Sequence, residues 1–207
     1  MSFEASFRVD IGQHASITSV RTELLNFSRL ITFARRVETA VWNVEAGVRI
    51  PVDLFGIAFR EPVLEAEEVD SRTVQALQRF LDQPLPGREP SKVETNRLSY
   101  NSPLTLHVEG VADIIPAIIR AFVTIGPTYR KAKAEADEAE IRRDALRDKE
   151  ADTRLLRTLL VDEVERSLAS DNRRVPVQAV AALLDNNLTE ALVHLADKRA
   201  EVDVEVK

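Results

Sequence analysis

The stretch Ala112–Leu156 reads ADIIPAIIRAFVTIGPTYRKAKAEADEAEIRRDALRDKEADTRLL, and its interpretation decides the fold. The first third is apolar and the remainder is charged. A membrane-spanning helix takes roughly 20 apolar residues, whereas runs of about 10–14 belong to buried helices. The segment from Ile114 to Ile125 is of the shorter kind, and Arg120 interrupts it. Asp113 stands where an N-cap belongs, and Pro116 falls in the first turn, where a missing N–H breaks no helical bond. Gly126 and Pro127 punctuate the far end. The segment is therefore expected to be a buried helix, and a membrane span is not expected.

Beyond Pro127 no glycine or proline occurs until Pro176. Ala, Glu, Lys, Arg and Asp dominate, all but Asp strong helix formers. Lys131 and Glu135, and Glu138 and Arg142, are spaced for i,i+4 pairing. This predicts a long polar helix leaving the core. Past Thr153 an apolar stripe returns in Leu156, Leu160, Val164 and Leu168, flanked by Leu155, Leu159 and Val161. Such a stripe must pack on something. The nearest candidates are the two short helices that follow, which would make a small helical bundle; the sharper alternative is an interaction surface, a coiled coil with a second copy or a protein partner.

Upstream, Phe3, Ala5, Phe7, Val9 and Ile11 alternate with Glu4, Ser6, Arg8 and Asp10. That is a strand with one wet face. From about Ser16 to Ala46 the period changes: Ile17, Val20, Leu24, Phe27, Ile31, Ala34 and Val41 mark an amphipathic helix capped by Ser16 and stopped by Gly47. A second strand is expected over Val48–Phe59, broken at Gly56, and a short helix over Ser71–Asp82 after the acidic run Glu65–Asp70. The loop QPLPGREPSK precedes two strands, Val93–Tyr100 and Leu104–Val108, with a bend at Asn101-Ser102-Pro103. Val175–Arg199 reads as two short helices, the second capped by Thr189, and EVDVEV as a final strand that returns to the sheet or pairs with another copy.

The fold class expected is α+β. A small, mostly antiparallel sheet with a long packing helix occupies residues 1–126. A long polar helix, a C-terminal helical bundle or hairpin and a terminal strand occupy residues 127–207.

Composition narrows the function. With 44% hydrophobic and 30% charged residues, the 207-residue chain is ordinary for a globular protein. A net charge of −6 gives no global field for nucleic acid. The absence of cysteine excludes disulfides and thiol chemistry, and with no signal peptide in view the expected location is cytoplasmic. The six glycines form no phosphate-binding fingerprint. His14, His107 and His194 are isolated, so no metal and no cofactor is expected. The acidic run Glu65–Asp70 lacks the spacing of a calcium loop.

The reading is a non-enzymatic interaction or scaffold protein that presents its helical extension for self-association or for a partner. Three alternatives stand beside it. One is a DNA-binding regulator using the C-terminal helical pair, whose second helix exposes Glu190, His194, Lys198 and Arg199. Another is an enzyme with a motif-poor site near His107 and Tyr100. The last is a peripheral membrane protein using the apolar helix.

Overall fold

The computed structural model describes residues 2–12, 15–46, 91–99, 103–112, 114–139, 145–171, 173, 180–181, 183–184 and 186–207. The expected strand Val48–Phe59, the acidic run, the helix Ser71–Asp82, most of the proline-rich loop, the bend at Asn101-Ser102 and His14 lie outside them.

Strand β1, Ser2–Val9, buries Phe3, Ala5, Phe7 and Val9 and turns the alternate residues outward. Asp10 ends it by accepting the Gly12 N–H at 2.8 Å, and Gly12 takes a left-handed φ of 78° that suits a residue without Cβ. Helix α1, Ile17–Glu45, follows. The Ser16 side chain accepts from Ser19 N at 3.1 Å, the N-cap bond its sequence predicts. Strands β2, Lys92–Ser99, and β3, Leu104–Val111, form an antiparallel pair with an irregularity between Thr95 and Arg97. At Gly110 a Cβ would sit 2.3 Å from the Lys92 carbonyl oxygen, so the two strands approach more closely there than any other residue allows.

Helix α2, Ile115–Ala139, continues straight through Gly126 and Pro127. Those residues punctuate the sequence without ending the helix. The polar stretch is then divided. Helix α3, Ala145–Ser170, folds back on α2, because Lys133 Nζ lies 2.6 Å from Asp152 Oδ2. The expected shaft is thus the two arms of a helical hairpin. Helix α4, Asn186–Asp197, begins at the asparagines expected to separate two helices. Thr189 consequently lies inside it, buried, and is not its cap. Helix α4 ends in a Schellman motif: Ala200 N donates to Leu195 O and Arg199 N to Ala196 O, with Arg199 left-handed at φ 52°.

Strand β4, Glu201–Val206, returns to the sheet and pairs antiparallel with β1. The strand order is β2-β3-β1-β4, every pair antiparallel. Among the described residues this is a doubled split βαβ arrangement, in which α3 and α4 extend the second crossover. The fold class is α+β, as expected.

The helices cover one face of the sheet. Phe7 of β1 meets Phe27 of α1 with ring centroids 5.2 Å apart. One continuous core runs from there through Ile115, Ile118, Ile119 and Phe122 of α2 to α3 and α4. No helix of the described residues is long and apolar enough to cross a membrane.

Candidate functional site

Leu156, Leu160, Val164 and Leu168, the residues expected to face a partner, are all buried within this chain. They pack in the same core as Leu188, Leu192 and Leu195 of α4. The stripe is filled from inside, so the outward-facing groups of the molecule lie elsewhere.

The side of the sheet that no described helix covers is where polar groups gather. Alternation turns Glu4, Ser6 and Arg8 of β1, His107 and Glu109 of β3, and Glu201, Asp203 and Glu205 of β4 away from the core. Cross-strand register then sets their neighbours, because directly opposite residues share a face. Glu4 is opposite both Glu109 and Glu205, and Glu109 is opposite Glu94. Four glutamates, Glu205, Glu4, Glu109 and Glu94, therefore form one line across all four strands. Like charges directly opposite each other destabilise a sheet. The offsets are small: Lys207 Nζ reaches Glu4 Oε1 at 2.5 Å, and Asn96 Nδ2 donates to Glu109 Oε2 at 3.2 Å. The bond to Glu4 holds the exposed Lys207 ammonium above its ordinary lysine value.

The next line is Asp203, Ser6, His107 and Arg97. Lys207 N donates to Ser2 O, so the even-numbered residues of β1 point their backbone groups at β4. Ser6–His107 and Glu4–Glu109 are thus pairs without hydrogen bonds between β1 and β3, the kind with Cα atoms about 4.5 Å apart. A half-open concavity of about 380 Å³ is lined by Glu4 and Glu205 of the first line, by the four residues of the second, and by Arg8. The Ser6 Oγ lies at its floor without accessible surface and without a hydrogen-bond partner. The residue types are those of a nucleophilic triad, but the order differs. A relay needs the imidazole between serine and carboxylate, and here Ser6 stands between His107 and Asp203. The line offers hydrogen-bonding and charged groups to something laid across it.

Two other polar groups are internal. Lys133 of α2 ties Asp152 of α3 and Asp197 of α4, the latter at 3.0 Å, and lies 5.7 Å from the centroid of the Tyr129 ring. Burial, then the charges of Asp152 and Asp197, push the Tyr129 hydroxyl up to about 12. Burial opposes the Lys133 charge, but the bonds to the two aspartates outweigh it and hold the ammonium above its ordinary value. On the far side of α4, His194 Nε2 lies 2.7 Å from Oε1 of the buried Glu23. The second oxygen of Glu23 has no hydrogen-bond partner.

His107 is therefore on the polar face, whereas His194 serves the α1–α4 contact; Tyr100 is outside the described residues. Among the described residues no group of three or more His, Asp or Glu side chains converges as metal ligands would. The glutamate line escaped sequence reading because alternation gives the face of a residue but not its cross-strand neighbour. No family model, curated protein or solved structure matches the chain.

Proposed function

We propose that this chain is a non-enzymatic interaction module that binds a basic segment of a protein partner on the open face of its sheet. The observation that supports this is the line of Glu205, Glu4, Glu109 and Glu94 across a face that no described helix covers. Carboxylates set opposite one another repel, and lysine or arginine side chains laid over them relieve that repulsion. The same charge disfavours nucleic acid and anionic lipid, which need cationic surfaces. It also disfavours face-to-face stacking of two copies, which would oppose two acidic lines. Partner binding thus rests on the sheet face, since the leucines of α3 are enclosed.

The test is fluorescence anisotropy with a labelled lysine-rich peptide and an acidic peptide of equal length. The basic peptide binds, weakens as salt is raised, and loses most of its affinity to the double variant Glu4→Gln/Glu205→Gln. Equal binding of both peptides, or no loss in the double variant, overturns the proposal.

A further inference from the structure

We infer that the basic segment docks in extended form along β4, as a fifth strand of the sheet; this rests on the reading of the polar face just given. Strand β4 is an end strand of the sheet, paired among the described residues with β1 alone. The hydrogen-bond phase set by Lys207 N and Ser2 O points Glu201, Asp203 and Glu205 at β1. The N–H and C=O groups of Val202, Val204 and Val206 therefore point to the free edge. A row of such groups is a template for another strand. One of them already has a donor from outside the sheet: Arg120 Nη2 of α2 reaches Val204 O at 3.4 Å. That long bond is one an incoming backbone N–H can replace.

The two edges differ. At the opposite edge β2 carries an irregularity between Thr95 and Arg97 and exposes Lys92 and Arg97, devices that discourage pairing. Strand β4 is regular along its register and has no basic residue or proline within Glu201–Val206.

The side chains specify the occupant. Glu201, Asp203 and Glu205 lie on the face of the glutamate line, and Val202 and Val204 turn toward the helices, with Val206 38% exposed beside them. A segment lying alongside meets acids on one face and valines on the other, so alternating basic and apolar residues match it. A second copy of β4 does not. Whether parallel or antiparallel, it would set acid against acid along the whole edge.

The experiment uses the full chain and three labelled synthetic peptides that alternate lysine and valine. One is unmodified, one is N-methylated at the valines, and one at the lysines. In an added strand only one alternate set of N–H groups points at β4. Methylation of that set abolishes binding, and methylation of the other spares it. In the protein, Val204→Pro removes an edge-facing N–H without touching the β1 ladder and is expected to weaken binding of the unmodified peptide at least about tenfold, or about 1.4 kcal/mol. If all three peptides bind alike and Val204→Pro binds as the parent does, strand addition is overturned while the basic-segment reading stands. If the unmodified peptide does not bind, both fail.

Discussion

The carboxylate of Glu38, on α1, accepts the backbone N–H of Ile114 at 3.0 Å inside the core. The same side chain accepts from Ser91 Oγ, just ahead of β2. One buried acid thus ties the middle of α1 to the entries of β2 and α2. Hydrogen bonds to charged groups contribute about 1.5–3 kcal/mol each, and stranded donors add a desolvation cost. Glu38→Ala is expected to lower the unfolding free energy by about 2–4 kcal/mol, and Glu38→Gln by roughly half, since an amide oxygen still accepts. Urea denaturation of the two variants checks this.

The Tyr129 hydroxyl, pushed up to about 12 by burial and by Asp152 and Asp197, gives the helical hairpin a pH limit. A group whose folded value exceeds its unfolded one, ordinarily about 10 for tyrosine, contributes stability that is complete below the unfolded value. That stability is lost as pH climbs from about 10 through about 12. Lys133, also raised, acts in the same direction from its ordinary lysine value upward. Urea midpoints measured across the alkaline range should fall in this window, and Tyr129→Phe should flatten the part that begins near pH 10.

Arg199 occupies the left-handed position that closes α4, with φ at 52°. Side chains with a Cβ are strained there, and glycine is not. Its guanidinium is exposed, and no other bond is needed to close the motif. Arg199→Gly is expected to stabilise the protein by about 0.5–1 kcal/mol, a rise in Tm of about 2 °C for a chain of this size. Differential scanning fluorimetry is enough to see it; an unchanged or lower Tm would contradict the cap geometry.

Leu160 is fully enclosed between α3 and its neighbours. Leu160→Ala should cost about 2–5 kcal/mol through the cavity it leaves. The native mass by light scattering should stay the same, because the side chain touches nothing outside the chain. A change of mass with little loss of stability would return the stripe to the role its sequence first indicated.

Much of this architecture is legible in the residues. Alternation at Phe3–Val9, Leu104–Val108 and Val202–Val206 gives three strands of the sheet, and the three- and four-residue steps after Ser16 give α1 with its cap. The fold-back of α3 on α2 is not legible, since no glycine or proline separates the two helices in sequence; the Lys133–Asp152 pair reveals it only in space. Glu38 left no trace, since Val37 carries the apolar stripe from Ala34 to Val41 and the charge beside it breaks no period. The glutamate line left none, because each member belongs to a different strand and only register brings them together.

The pairing of β1 with β4 also sets a timetable. Strand β1 is made before the other described elements, yet the neighbour that covers one of its sides comes from Glu201–Val206, nearly 200 residues later. Loop closure over such a span is slow compared with local helix formation. During synthesis the even-numbered backbone groups of β1 therefore lack their β4 partners while the described helices are completed. For that interval β1 is itself a bare sheet margin, with Glu4 and Arg8 standing guard as its charged gatekeepers.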